Sequence, residues 1–325
     1  MNLYKHIVIA FIIALFAGCS APKPQTKPLW FTNPPKDFKC YYEVGEANSL
    51  NKAKNIAVFA LRDKLNKELN KEFTSANHPL AHIDTQRKNE ILAQNERLAK
   101  TFPMRGLRVV NSEVYKGKTL VLICLPKKEL FEYLEKRSKE KFENAKRSFE
   151  NSQSLIAIKK FIAIKPLLKD YATIASFAQL KQNTLSTYSA SAEFRYLKNL
   201  NDTYEKLKKS ISFYVVGDVN SRIFTQVIKQ SIKEEGLSIS KKPLSSNSLK
   251  LIVSSNTTNS QDYSFNKSSS LVRFTTYDMQ KRKIAFKQHT FVGKSRKSYA
   301  DAKEQAALHM YAKAKKFGVF QFLGL

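Results

Sequence analysis

Three side chains between residues 78 and 84 are of types that bind metal ions. His78 and His82 stand four positions apart and Asp84 follows, a spacing that would place ligands on one face of a helix. Pro79 lies between the histidines and interrupts a continuous helix, and no further ligand follows at a suitable spacing. We therefore expect a polar loop here and no bound metal.

Enzymatic motifs are missing from the sequence. Gly293-Lys294-Ser295 matches the end of a phosphate-binding loop, but Gln288 occupies the position of the first glycine of that loop. The chain contains no G-x-S-x-G, no H-E-x-x-H and no glycine-rich dinucleotide turn. We therefore expect no enzyme activity, no cofactor and no small-molecule substrate.

The chemistry that the sequence favours is lipid attachment at Cys19. Lys5 precedes an apolar run, Ile7 to Phe16, and Ala17-Gly18 stands directly before the cysteine. A positive start, an apolar segment too short to span a bilayer and small residues before the cut are typical of a signal peptide. The ending resembles the lipobox of bacterial lipoproteins, although Phe16 replaces the usual small aliphatic residue. The resemblance implies cleavage after residue 18 and acylation of Cys19.

Acylation of Cys19 would decide where the protein works. About two acyl chains hold a protein stably at a bilayer. The lipoprotein resemblance implies that an aspartate after the cysteine would favour inner-membrane retention, so Ser20 predicts the outer membrane. We expect the protein to face the periplasm, although Ser20 does not decide this. An ordinary secretory signal with an incidental cysteine and an uncleaved anchor are the alternatives.

The formal net charge of +29 would ordinarily suggest nucleic acid as a partner. The lysines are spread along the whole chain, and an exported protein does not meet the genome, so we expect no nucleic-acid binding. A solvated basic surface, or one that meets acidic envelope polymers or anionic lipid headgroups, fits the same charge.

Cys40 and Cys124 lie in strand-like segments of one predicted domain. In an oxidising compartment two neighbouring strands could carry a disulfide between them, and closing a loop of about 85 residues would add roughly 4 kcal/mol to stability. Two separately buried thiols are equally compatible with the sequence.

An α+β fold class is predicted from the pattern of apolar residues. We expect a signal peptide over residues 1–18, a lipid anchor and tether over 19–27 and an N-terminal α+β domain over 28–126. A helical hairpin or bundle over 127–210 then joins this domain to a C-terminal α+β domain over 211–325. The joining segment has no glycine and a single proline after Pro126, which favours helix throughout.

The N-terminal domain begins at Pro28-Leu29-Trp30-Phe31-Thr32-Asn33-Pro34-Pro35, where Trp30 and Phe31 are expected in a core or an interface. A strand carrying Val44-Gly45-Glu46-Ala47 follows, and Ser49, Ala53 and Ala57 open a helix. A β-hairpin with Gly117 in its turn is predicted near the end of the domain. Residues 15 to about 130 resemble the LPP-twenty-type lipoproteins of the Helicobacter and Campylobacter lineage. That resemblance implies a non-enzymatic outer-membrane lipoprotein, from a family that includes a flagellar-associated member.

Two further patterns lie outside the resemblance. In the helical segment, Leu200 and Leu207 follow a spacing of three and four residues, which is compatible with a spacer or with an association surface. In addition, residues 49–57 and 298–306 share the pattern S-x-x-x-A-K-x-x-A, each soon after a strand that contains glycine. Chance, shared capping where a strand leads into a helix, or a duplicated unit would produce this repeat.

Taken together, these features predict a non-enzymatic outer-membrane lipoprotein with a structural or assembly role, accessory to flagellar structures if the resemblance holds. Its partners would be the membrane, through acylated Cys19, and either envelope proteins or further copies of itself. The alternative is a regulatory periplasmic module that docks on an envelope enzyme.

Overall fold

The computed structural model of this protein describes residues 26–325, so Cys19 and the predicted signal peptide lie outside the described residues. The fold is of mixed α+β class, as predicted, with a three-stranded and a five-stranded sheet. The described chain divides into two compact units. The first comprises residues 26–71 with Asn95–Tyr133, and the second comprises Glu72–Gln94 with Leu134–Leu325.

The elements of the first half of the chain are four helices and three strands. In chain order they are α1 (Leu29–Thr32), β1 (Cys40–Ala47), α2 (Leu50–Thr74), α3 (Thr85–Thr101), β2 (Arg108–Tyr115), β3 (Lys118–Pro126) and α4 (Lys127–Ser152). The unit boundaries fall inside α2, α3 and α4.

The rest of the chain adds helices around five strands. In chain order they are α5 (Ala157–Ile164), a 3₁₀ helix (Lys165–Asp170), α6 (Tyr171–Thr184), α7 (Ser191–Ser210), β4 (Ser212–Gly217), α8 (Arg222–Glu234), β5 (Ser238–Ser240), β6 (Ser248–Asp262), β7 (Phe265–Tyr277), β8 (Lys283–Ser295), α9 (Tyr299–Phe317) and α10 (Val319–Leu323).

The sheet of the first unit is antiparallel, in the order β1-β3-β2. Strand β3 is central, and its residues 120–125 are all buried. One buried stripe of α2, with Ala53, Ala57 and Leu61 spaced four residues apart, supplies the facing side chains.

The β2–β3 turn has positive φ at Lys116 and Gly117, as a tight hairpin turn requires. Glycine supplies one of these values without strain.

The sheet of the second unit has the order β5-β4-β6-β7-β8. Strand β4 runs parallel to β5 and β6, whereas β6, β7 and β8 form an antiparallel meander. The covered face carries Phe213, Leu251 and Phe274, none of which is exposed to solvent. These side chains share one apolar core with the helices of the unit.

The hairpin of β6 and β7 is longer than predicted. The polar composition of residues 256–269 predicts a loop, but the strands continue to Asp262 and resume at Phe265. Serine and threonine side chains hydrogen-bond across this part of the ladder, for example Thr257 Oγ1 to Ser270 Oγ at 2.8 Å. Such cross-strand pairs stabilise a strand that lacks an apolar alternation.

The domain division differs from the predicted one. The segment 127–210 was expected to be a separate helical spacer, yet from Leu134 onward it belongs to the same compact unit as the C-terminal sheet. The aromatic core explains why: Phe161 of α5 stacks on Tyr204 of α7 at 5.1 Å and meets Phe320 of α10 edge to face at 5.9 Å. The helices and the sheet therefore bury their apolar faces against each other.

The repeated S-x-x-x-A-K-x-x-A pattern corresponds to one repeated contact. A Cβ atom added to Gly45 of β1 would lie 2.0 Å from the backbone oxygen of Ala53, and one added to Gly293 of β8 would lie 1.9 Å from that of Ala302. In both places the glycine lies on an outer strand that pairs antiparallel with its neighbour, and it lets the following helix approach closely. The two copies of the pattern therefore share a close contact between a strand and the helix that follows it.

Candidate functional site

The most accessible strand of the first unit is β2. Every residue from Arg108 to Val114 is exposed, and only Tyr115 is half-buried. One side of β2 pairs with β3, and its other side is an outer edge of the sheet. Because an outer edge leaves backbone N–H and C=O groups without a ladder partner, it can accept a further strand.

Valine side chains add an apolar component to this edge. Val109, Val110 and Val114 are 38%, 46% and 71% exposed. The pairing with β3 shifts register between Val109 and Asn111, which marks a bulge. The exposed valines, on a strand without proline, give this edge an apolar surface that a further strand could cover. The sequence predicted the strand, but its full exposure depends on which elements surround it.

Trp30 and Phe31 lie on α1 and are both half-buried. Their rings meet edge to face with centroids 5.9 Å apart. Lys27 Nζ lies 4.8 Å from the Phe31 ring centre and 2.5 Å from Glu46 Oε2, and this hydrogen bond lowers the pKa of Glu46. The aromatic pair therefore covers part of the first unit, and a role in an interface remains a prediction.

Cys40 of β1 and Cys124 of β3 are joined by a disulfide, with Cα atoms 5.5 Å apart and a sequence separation of 84 residues. The two strands are antiparallel neighbours, and Tyr42 stands directly opposite Cys124. The crosslink ties the beginning of the first unit to the strand that completes its sheet.

Leu200 and Leu207, which were predicted as a possible association surface, pack within the second unit. Leu200 is completely buried in the core of the second unit, and Leu207 is half-buried against the same core. The spacing of three and four residues is therefore explained by packing within the chain, and these two side chains are not an exposed interface.

His78 uses both ring nitrogens within the protein. Nδ1 accepts a hydrogen bond from the Leu80 N–H at 3.1 Å, and Nε2 lies 3.0 Å from Gln179 Oε1. The ring packs between Phe73 and Phe194, and its burial lowers its pKa although the Gln179 contact opposes the shift. This histidine therefore has a structural role. No group of three candidate metal ligands occurs among residues 26–325.

A buried charged cluster surrounds Lys181 in the second unit. Its ammonium lies 3.0 Å from Glu193 Oε1 and 2.9 Å from Glu135 Oε2, and the Tyr188 hydroxyl also donates to Glu193. Burial alone would lower the pKa of Lys181, but its hydrogen bonds to the tyrosine and the two carboxylates outweigh burial and raise the pKa.

The partners of Lys181 keep it charged. Burial, together with the hydrogen bond to Glu193, raises the pKa of Tyr188 to about 12, so the phenol stays neutral. A lysine that activates chemistry has a lowered pKa, which is the opposite of what is found here. Lys181 lies in α6, Glu193 lies in α7 and Tyr188 lies between the two helices. Their contacts therefore hold the connection between α6 and α7 in place. The sequence around it is rich in serine and threonine and does not indicate a buried charge.

Within residues 26–325 no helix combines the length and the apolar character that a bilayer span requires.

Comparison with known proteins gives low similarities. No protein-family model matches the chain, and no curated protein matches it. A solved structure of a minor lipoprotein from Acinetobacter baumannii aligns with 34% of this chain and 91% of its own, at 10% identity and a TM-score of 0.27. A secreted protein from Helicobacter pylori aligns with 87% of this chain and 98% of its own, at 13% identity and a TM-score of 0.37. Values this low establish neither a family nor a function.

Proposed function

We propose that this protein is an outer-membrane lipoprotein with a structural or assembly role in the cell envelope, and that it is not an enzyme. The anchor is supported by Ala17-Gly18 directly before Cys19, after an apolar run too short to span a bilayer. The outer membrane is favoured by Ser20, which follows the cysteine.

The observation that carries the assembly role is the exposed edge of β2. An eight-residue strand with three exposed valines would be an aggregation hazard for a protein that works alone. A partner strand added to β2 would satisfy the backbone groups and cover the valines. Since the formal charge of +29 makes two copies repel each other, we favour a partner of different sequence.

The anchor is tested by the substitution Cys19→Ser in cells labelled with a fatty acid. We expect the wild-type protein to carry label and to sediment with the outer membrane. The variant should lose the label and appear in the soluble periplasmic fraction or keep its leader. A labelled variant, or an unlabelled wild-type protein, would disprove lipid attachment at this cysteine.

The edge is tested by a photo-crosslinking amino acid at Val114, with the same amino acid at Val219 as the matched control. Val219 is 91% exposed and lies in the connection between β4 and α8, outside any strand. We expect a discrete adduct with one envelope protein from position 114 and none from position 219. Adducts of equal yield at both positions, or none at either, would contradict the proposal for β2. An adduct between two copies of this protein would show self-association through β2 and would contradict a partner of different sequence.

A regulatory module that docks on an envelope enzyme remains the second candidate, because the same edge could hold such an enzyme. Deletion of the protein separates the two functions. A structural component should leave the activities of envelope enzymes unchanged, whereas loss of a regulator should lower the activity of its crosslinked partner.

The flagellar role is supported by the resemblance of residues 15 to about 130 to a family with a flagellar-associated member. It predicts that a deletion strain loses motility while keeping its growth rate. Normal swimming and normal flagella in that strain would contradict a flagellar role.

A further inference from the structure

The five-stranded sheet of the second unit has one open face. Side chains alternate along each strand, so the neighbours of the buried Phe213 and Leu251 point the opposite way. Tyr214 of β4, Ile252 of β6 and Tyr277 of β7 are among the residues on that open side, and each is half-buried.

Two tyrosines and one lysine form a row across this open face. Tyr214 stands opposite Lys250, and Lys250 stands opposite Tyr277. Since neighbouring strands are roughly 4.8 Å apart, the tyrosine backbones are separated by about 10 Å, with the lysine between them.

A cavity of about 410 Å³ lies over this row. Ile252 contributes to its apolar lining, and Pro243 and Met279 line it from the connections that follow β5 and β7. Its size is within the range of sites that hold small molecules. Neither tyrosine hydroxyl has a hydrogen-bond partner among the described residues, so both remain able to bind a polar ligand.

The charges that line the cavity are unbalanced. Lys250 and Lys281 form no ion pair with any described residue. Asp278 also lines the cavity, but its Oδ2 accepts from Arg282 Nε at 2.7 Å and its Oδ1 accepts backbone N–H groups of Gln280 and Arg282 at 2.9 Å. The Asp278 carboxylate therefore holds the turn and is paired with Arg282. The ammonium groups of Lys250 and Lys281 are left as an excess of positive charge at the cavity.

We propose that this cavity binds a small anionic sugar, a single ring that carries a carboxylate or a phosphate. Lys250 and Lys281 would bind the acidic group, and the tyrosine rings and hydroxyls would contact the face and hydroxyl groups of the sugar. A peptide strand fits less well, because Lys250 lies on β6, which is paired on both sides and offers no edge for strand addition. The proposal does not depend on the role suggested for β2.

The test is calorimetric titration of the full-length protein in detergent with glucuronate, glucose 1-phosphate and neutral glucose. We expect both acidic sugars to bind saturably below about 10 mM and glucose to bind at least about tenfold more weakly. Raising the salt concentration should weaken the binding of the acidic sugars. Equal binding of glucose, or no saturable binding of either acidic sugar, would overturn the proposal.

Variants locate the site. Lys250→Gln should weaken binding of the acidic sugars by about tenfold or more. Lys233→Gln removes the same charge from an exposed position on α8 and should leave binding unchanged. Lys281→Gln, on the exposed turn, provides a second test if Lys250→Gln does not fold. Loss of affinity in the Lys233 variant equal to that in the pocket variants would show a general charge effect and overturn the site.

Benzoate distinguishes a sugar from any flat anion. It carries the same charge on an aromatic ring without hydroxyl groups. We expect it to bind more weakly than glucuronate, because it cannot use the free tyrosine hydroxyls. Benzoate binding as tight as that of glucuronate would overturn the assignment to a sugar.

Discussion

Lys181 shows how much a single side chain can contribute here, since only 4% of that side chain is exposed and two carboxylates bind it. Replacing it by methionine keeps the apolar stem but leaves Glu193 buried without a cation. We expect Lys181→Met to lower the free energy of unfolding by about 3 kcal/mol or more, because an uncompensated buried charge is costly. Denaturant unfolding of the purified protein measures this loss.

The double variant Lys181→Met with Glu193→Gln is the control. It removes both charges, so it should recover a large part of the stability that the single variant loses. A double variant as unstable as the sum of the two single variants would show that the ion pair is not coupled.

At the scale of single residues, the sequence did not predict which groups surround a given side chain. His78 was assigned to a polar loop because of Pro79, but its ring is buried between two aromatic rings. The partners of Lys181 lie up to 46 residues away, so no local pattern could reveal them. Cys40 and Cys124 were placed in strand-like segments of one domain, but the sequence alone could not show that the two strands are neighbours or choose between a disulfide and two thiols.

At the scale of elements, the contact between a strand glycine and the following helix carries a clear prediction. Gly45→Ala and Gly293→Ala would each push a Cβ to about 2 Å from a helix backbone oxygen, so the helix must move away. We expect each substitution to cost about 1–3 kcal/mol, the range seen when a packed core is overfilled. Thermal unfolding followed by circular dichroism would show the lower midpoint.

Gly217→Ala is the matched comparison, because its added Cβ would meet a side chain, Thr225 Oγ1, at 2.1 Å. A second substitution, Thr225→Ala, should remove that clash and recover part of the stability, because the contact of the added Cβ with Ser221 Oγ at 2.8 Å remains. No side-chain truncation can relieve the clash at Gly45 or Gly293. If all three glycine substitutions were equally well tolerated, close backbone approach would not explain the repeated pattern.

Element types were predictable where a period or a turn signal was strong. The β2–β3 hairpin with Gly117 in its turn and the helix after Ser49 were both expected, and both are found. The extension of β6 and β7 was missed, because residues 256–269 are polar and carry no apolar alternation. Ladder hydrogen bonds and serine–threonine contacts hold those strands, and a pattern of hydrophobicity does not record either of them.

At the scale of the whole molecule, the second unit is assembled from distant parts of the chain. Phe73, near the end of α2, is 4% exposed and its ring lies 4.5 Å from that of His78, which contacts Phe194 of α7. We expect Phe73→Ala to lower the stability of the second unit by about 3–5 kcal/mol, as aromatic truncations in cores do. Hydrogen exchange should accelerate in α7 and in β4, far from the substitution along the chain.

Phe59 provides the control on the same helix, since it is 75% exposed. Phe59→Ala should leave hydrogen exchange in α7 and β4 unchanged. Slow exchange in these elements despite Phe73→Ala would mean that the segment Glu72–Gln94 is dispensable for the core.

The domain boundaries could not be predicted for the same reason. Composition shifts at Pro126 and again near Ile211, and these shifts were interpreted as the ends of a spacer. Compact units depend on which apolar faces meet in space, and the faces of α5, α6 and α7 meet the core of the C-terminal sheet. The chain enters each unit twice, and its local sequence gives no sign of this.

The burial of α10 has a consequence for biosynthesis. Val319, Phe322 and Leu323 are each at most 2% exposed, and the Phe322 ring stacks on His289 at 4.5 Å. The core of the second unit can therefore close only after the ribosome has translated past residue 323 and α10 has left the ribosomal exit tunnel. Until then the nascent polypeptide keeps its apolar strands uncovered, which is the state that an export channel can thread and that a chaperone must protect.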